Sequence, residues 1–280
     1  MIAVRWLLAA LVSAAVLPAE DSRKFLTPFY SGSSIVNSAT NGIGWFSPNA
    51  FATIYGANLS ASTRAIRAED IAGGALPTTL GGVRVFVSGL PASLYYVSPE
   101  QVNFLIPSSF RPGDVDLWLT RDGTTGPKVR VTLQETAPGL FQMDSAAIVA
   151  THADGSLLSA EKPADAGELV ILYATGLGRT TPEAIAGRIA YAAAPLQQIA
   201  GFRVLLGGEP VEPARVAYAG IAPGFAGLYQ INVRLPEQTA ANPEIRIAVG
   251  DRLSPASLKI LLNKGSPAVA AGSVIEAAGR

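Results

Sequence analysis

His152 is the single histidine of the 280-residue chain, so Ser-His-Asp hydrolysis would have to use it as the base. It lies in Ala150-Thr-His-Ala-Asp-Gly155, which reads as a surface hairpin turn, and no Gly-x-Ser-x-Gly nucleophile elbow occurs. The same turn partly imitates a calcium loop. Asp154, Gly155 and Glu161 fall at its fifth, sixth and twelfth positions, but Ala150 and His152 stand where oxygen ligands are needed. Gly176-Leu-Gly178 follows an apolar run as a dinucleotide loop would. The third glycine is replaced by Thr181, and Pro182 follows it, so the segment reads as a strand-end turn. Glycosidase chemistry needs two converging carboxylates. Glu69, Asp70, Asp114, Asp116, Glu161 and Asp165 are scattered over predicted loops with no feature that pairs them. With no cysteine there is no thiolate metal site and no cysteine nucleophile. The expectation is therefore no catalytic, cofactor-binding or metal-binding residue set.

Binding chemistry has better candidates. Phe86 and Trp118 fall on the outward phase of predicted strands, where aromatic rings stack on sugars or meet a partner. Trp45, Tyr95 and Tyr191 are further aromatic candidates, whereas Tyr96, Tyr173 and Tyr218 are placed in the core. Residues 219–228 form an uncharged, glycine-rich stretch carrying Phe225, and such a loop is seldom left bare in water. It is expected to pack between two domains or against a partner. The predicted ligand or partner surface is Phe86, Trp118 and Phe225.

The elements that must position these residues follow from composition and pattern. Lys+Arg 21 balances Asp+Glu 21, giving zero net charge and no electrostatic footprint for nucleic acid. Charged residues are 15% of the chain against about 25% in ordinary globular proteins. The apolar period is two: Val83/Val85/Val87, Val102/Phe104/Ile106, Val115/Leu117/Leu119 and Val129/Val131/Leu133, then Phe202/Val204/Leu206, Ile231/Val233/Leu235, Ile245/Ile247/Val249 and Leu258/Ile260/Leu262. Period two means half-buried strands. Turn dipeptides such as Ser88-Gly89, Asp122-Gly123 and Gly207-Gly208 separate them. Only residues 66–75 and 182–191 leave room for a helical turn.

Three blocks recur in the same order. Ile54-Tyr-Gly-Ala-Asn-Leu-Ser60 matches Leu172-Tyr-Ala-Thr-Gly-Leu-Gly178, Leu80-Gly-Gly-Val-Arg-Val-Phe-Val87 matches Ile199-Ala-Gly-Phe-Arg-Val-Leu-Leu206, and Gln101-Val-Asn-Phe-Leu-Ile-Pro107 matches Gln230-Ile-Asn-Val-Arg-Leu-Pro236. The spacing widens before the third block, which places an insertion of the second copy near 219–228. The paired Gln101/Asn103 and Gln230/Asn232 read as side-chain caps of the backbone. The chain is thus expected to be all-β, two tandem immunoglobulin-like β-sandwich domains, at 35–141 and 142–263. A linker at 20–34 precedes them and a loosely ordered tail at 264–280 follows.

Tyr55-Gly-Ala-Asn-Leu59, a glycine turn and Gln101-Val-Asn-Phe-Leu-Ile-Pro107 resemble the IPT/TIG immunoglobulin-like domain. Ile35-Val-Asn-Ser38, Leu76-Pro-Thr-Thr-Leu-Gly-Gly82, Tyr96-Val-Ser-Pro-Glu-Gln-Val-Asn103, Ala137-Pro-Gly-Leu-Phe141 and Gly227-Leu-Tyr-Gln-Ile-Asn232 are similar to the Solibacter-type C-terminal domain family of exported bacterial proteins. The resemblance implies tandem immunoglobulin-like sandwiches and supplies no activity. Residues 1–19 read as a secretory signal peptide. Arg5 gives the positive start, and the apolar run from Trp6 to Leu17 ends at Pro18-Ala19 before Glu20-Asp21-Ser22-Arg23-Lys24. The run is short for a membrane span, so the processed protein is expected outside the cytoplasm and not membrane-spanning. An exported non-catalytic protein that binds, adheres or assembles, with a protein or glycan partner at the cell envelope, fits these features. The alternatives are a carbohydrate-binding module using exposed aromatics and an extracytoplasmic hydrolase.

Overall fold

The structure, a computed structural model, describes residues 27–263. The expected signal peptide, residues 20–26 of the expected linker and the 264–280 tail lie outside the described residues.

The first half contains ten strands: β1 (Ile35–Asn37), β2 (Phe51–Tyr55), β3 (Arg64–Ala65), β4 (Val83–Val87), β5 (Leu90–Pro91), β6 (Ser93–Val97), β7 (Gln101–Leu105), β8 (Gly113–Arg121), β9 (Thr124–Thr125) and β10 (Val129–Leu133). They form two antiparallel sheets, ordered β1-β2-β7-β6-β3 and β10-β8-β4-β5. The alternation has the predicted effect. Val83, Val85, Val87, Leu117 and Leu119 face inward and meet Ile54, Leu94, Val102 and Phe104 from the other sheet in one apolar cluster. Burying each such side chain is worth roughly 1.5–3 kcal/mol. The tight hairpins are made where residues tolerate a left-handed backbone, as at Ser88-Gly89 (φ 42 and 86) and Asp122-Gly123 (φ 47 and 84). Tyr30 closes the end of this core. Its hydroxyl donates to the Pro127 carbonyl at 2.6 Å and accepts from the Leu119 amide at 2.7 Å.

The second half repeats the scheme with β11 (Gly139–Leu140), β12 (Ala150–His152), β13 (Leu169–Thr175), β14 (Ala194–Pro195), β15 (Phe202–Leu206), β16 (Glu209–Pro210), β17 (Val216–Ile221), β18 (Tyr229–Arg234), β19 (Ile245–Val249) and β20 (Arg252–Leu253). One sheet runs β11-β13-β18-β17-β14, with β12 also on β13, and the other runs β16-β15-β19-β20. A second apolar cluster, from Leu140 to Leu262, fills the space between them. In the first half the order matches the ABED and GFC sheets of an immunoglobulin-like sandwich; the second half keeps the ABED order and the F-C pair, with β20 only a short hairpin arm on β19. The three repeated blocks take equivalent places: β2 with β13, β4 with β15, β7 with β18.

Several expectations need correction. Leu258, Ile260 and Leu262 are buried in alternation, but the segment is not a continuous strand. Lys259 and Leu262 make isolated bridges to Ala147, Glu244 and Ala164 instead. The insertion of the second half is split. Ala92 alone separates β5 from β6, whereas residues 211–215 separate β16 from β17; the hairpin after β17 is also longer than the one after β6. Residues 219–221 are therefore the end of β17, and 222–228 form the hairpin. A 3-10 turn forms at Ala68–Asp70, and no helix forms in 182–191. The repeated glutamine and asparagine side chains do not cap backbone. Gln101 Nε2 donates to Asn103 Oδ1 and Gln230 Nε2 to Asn232 Oδ1, both at 2.8 Å, as the same rung in each half.

Candidate functional site

His152 is 8% exposed at the end of β12, not a surface turn residue. Its Nδ1 lies 2.5 Å from Glu168 Oε1 and its Nε2 3.3 Å from the Lys162 carbonyl. Both nitrogens are thus occupied in tying the following loop to the sheet, and none of these partners is a serine hydroxyl. Asp154 is likewise used locally. Its carboxylate accepts from the Ser156 hydroxyl at 2.6 Å and amide at 2.8 Å, and these bonds hold its pKa down at about 2, with the Lys162 ammonium 3.6 Å away. An ammonium and a turn therefore stand where the sequence imitates a calcium ligand. Gly176 (φ 75) and Gly178 (φ 93) form the strand-end turn expected of them.

Phe86 and Trp118 point outward and face each other across β4 and β8. Their rings stack with centroids 5.3 Å apart and planes 15° off parallel. Arg84 sits over the Phe86 ring at 4.7 Å and Lys128 over the Trp118 ring at 4.8 Å. Both aromatics are only half-exposed. A sugar platform needs a free ring face. Here the rings turn faces to one another and carry cations, so the row stabilises the sheet surface and does not offer the platform read from the sequence.

Phe225 is elsewhere. It is 51% exposed on the hairpin between β17 and β18, and that hairpin docks on the outer face of the first half's β7-β6 sheet. Ala226 is buried against Leu76 and Leu105, with Phe51, Ile66 and Tyr95 around them. The Tyr95 hydroxyl donates to the Ala226 carbonyl at 2.6 Å, and burial there pushes its pKa up. The three predicted surface residues are thus not brought together. Tyr96, Tyr173 and Tyr218 are half-buried, and the large core tyrosine is Tyr229, fully buried. Its hydroxyl donates to the Gly178 carbonyl and accepts from Asn49 Nδ2 of the other half at 3.4 Å.

The junction is extensive. The Phe51 amide donates to Thr175 Oγ1 at 2.9 Å, Trp45 Nε1 to the Pro138 carbonyl at 3.2 Å, and Ser108 Oγ to the Ala184 carbonyl at 2.8 Å. Residues 182–193 form a strap across it. The Leu76 amide donates to the Gly187 carbonyl at 2.8 Å, and the Ile189 amide donates to the Gly74 carbonyl at 2.9 Å. Beside the strap, Ile185, Ile189, Tyr191, Ala194, Ile221 and Gly227 line a groove of about 320 Å³. Ile185 is 67% exposed and Tyr191 81%. Phe225 adjoins them, because the Ala190 amide donates to its carbonyl at 3.0 Å. Tyr191 was among the aromatic candidates of the sequence, but Ile185 and Arg188 were not. The strap's signal is weak: an apolar stretch with no strand or helix period.

The buried phenols give the fold an alkaline limit. Burial raises Tyr30 and Tyr229 from 10.0 to about 12. A pKa higher in the folded than in the unfolded chain contributes stability that is whole below pH ~10 and lost as pH rises through about 12. The thermal midpoint should therefore hold steady up to pH ~10 and fall beyond it. Tyr30→Phe and Tyr229→Phe should each blunt that fall, and an unchanged fall in both variants would contradict this account.

No family model matches the chain, and no curated protein matches it. Solved structures are similar at low levels. The SGBP-B protein of the Bacteroides ovatus mixed-linkage glucan utilization locus, in complex with a mixed-linkage heptasaccharide, is 12% identical with a TM-score of 0.31, over 78% of this chain and 43% of that one. Domains 5-6 of the S-layer protein SbsC are 10% identical with a TM-score of 0.26, over 86% of this chain and 100% of that one. Tandem Ig repeats of Dlar are 10% identical with a TM-score of 0.20, over 85% and 95%. The chain spans less than half the length of SGBP-B. These likenesses do not bear on what this chain binds.

Proposed function

We propose that this is an exported, non-catalytic binding protein that meets a protein partner through the groove at the junction of its two sandwiches. One observation carries the reading: Ile185 and Tyr191, large side chains at 67% and 81% exposure, line one apolar groove, and Phe225, 51% exposed, adjoins it through its backbone bond to Ala190. Clustered exposure of this kind marks interaction sites, and junctions between units are where such sites occur. Export rests on the signal-like residues 1–19, and the Solibacter-type resemblance agrees with it. Among the described residues no helix is long and apolar enough to cross a membrane.

The test is a peptide array and a glycan array probed with the full chain. Peptide hits should weaken more than tenfold in Ile185→Asp and in Tyr191→Ala, and persist in Trp118→Ala. Glycan hits abolished by Trp118→Ala would move the site to the Phe86 row and make the protein a carbohydrate-binding module. Turnover of an ester, peptide or glycan, lost on one serine or carboxylate change, would overturn the non-catalytic reading.

A further inference from the structure

Apolar contact alone makes this groove a weak site. Covering three side chains at roughly 1.5–3 kcal/mol each is largely offset by an association cost of about 4–15 kcal/mol. A specific partner needs a further, directional contact, and the groove's charges show what it is. Two charged side chains line it, Glu183 and Arg188. Glu183 is already neutralised, with Arg179 Nη1 2.5 Å from its Oε1. Arg188 is exposed, and its side chain makes one hydrogen bond, from Nη1 to the Gly73 carbonyl at 3.2 Å. Among the described residues no carboxylate pairs with it. The strap fixes its backbone, because Arg188 bridges Ala75 of the first half and the Arg188 amide donates to the Ile185 carbonyl at 3.1 Å. The groove also continues the interface within the chain: Gly227, on its wall, packs against Leu105, and neighbouring Ala226 lies in the buried junction cluster.

We infer that the groove takes a partner-protein segment in which an apolar side chain stands next to a carboxylate, the apolar group lying against Ile185 and Tyr191, beside Phe225, and the carboxylate pairing with Arg188. A guanidinium anchored through one nitrogen keeps its other donors for a carboxylate, and its planar fork suits that geometry better than an ammonium does. The Glu183–Arg179 pair leaves no second unpaired cation at the groove, so one carboxylate satisfies its charge. This inference rests on the groove being the binding site and adds what selects the partner there.

The probes are N-acetylated hexapeptide amides with Ile, Phe or Tyr at the centre, each made with Asp or with Asn at the next position, titrated against the full chain. The Asp peptides should bind at least tenfold tighter than their Asn counterparts at low salt, and the gap should narrow as salt rises. Arg188→Gln should abolish the gap, and Arg188→Lys should restore part of it, with thermal midpoints recorded to show that both variants fold. Equal binding of Asp and Asn peptides, still lost in Ile185→Asp, would overturn the carboxylate preference and leave the groove as the site. Absence of any peptide binding would overturn both. Dodecanoate binding that depends on Arg188, where no peptide binds, would reassign the groove to an amphiphilic small molecule and so overturn the protein partner.

Discussion

Tyr229→Ala is expected to lower the free energy of unfolding by about 3–5 kcal/mol, the range for removing a large aromatic from a packed core. Tyr229 is completely buried at the start of β18, and its ring is part of the second core. Its hydroxyl does a separate task at the junction, joining the Gly178 carbonyl of its own half to Asn49 of the other. Tyr229→Phe separates the two contributions. It keeps the ring and strands a buried carbonyl, which costs about 1–3 kcal/mol. Urea unfolding midpoints of the three proteins measure both terms. A loss below 1 kcal/mol for the alanine variant would show that the core collapses around the gap, contrary to the packing described. Because the hydroxyl ties the halves together, both halves should unfold in one transition in the parent protein.

Gly176→Ala is the second large effect, expected at about 2–4 kcal/mol by the same measurement. Gly176 has φ 75, a left-handed backbone that costs an L-residue roughly 1–2 kcal/mol. A Cβ there would also stand 2.2 Å from the Ala137 carbonyl oxygen and 2.8 Å from its carbon, and these are backbone atoms that cannot rotate away. They belong to the connector between the halves, and the Ala137 amide donates to the Gly176 carbonyl at 2.8 Å. Gly155→Ala is the control. Its φ is 84, but a Cβ would meet nothing within 4 Å, so only the conformational cost remains. Similar losses in the two variants would mean that the connector moves aside easily.

The same glycine illustrates what could be read from residues alone. Gly176-Leu-Gly178 was identifiable as a turn, because the repeat pairs it with Asn58-Leu-Ser60, and Asn58 also has a positive φ of 58. Its closeness to Ala137 was not identifiable, because that contact joins segments far apart in sequence. Phe86 and Trp118 show the same division. Alternation put both on the outer face of the right strands, but the ring stacking and the two cations over it depend on the register Phe86↔Trp118 and on the course of β10. The turn motif alone makes His152 read as exposed, because Glu168 and the Lys162 carbonyl, which hold its ring, lie outside that motif.

The sequence by itself determined the strands, their inward faces, the tight hairpins and the repeat, because periodicity and turn chemistry are local and are written in neighbouring residues. It also set a single histidine, no cysteine and no Gly-x-Ser-x-Gly elbow. Only the tertiary structure decided which exposed apolar side chains come together at the junction. The strap of 182–193 has no period of its own, and Ile185, Arg188, Tyr191 and Phe225 become neighbours because the strap pairs with Gly74 and Leu76 while the hairpin of the second half docks on the first. Long-range packing of this kind is selected by what the two sandwiches bury against each other, and no short stretch of residues records it.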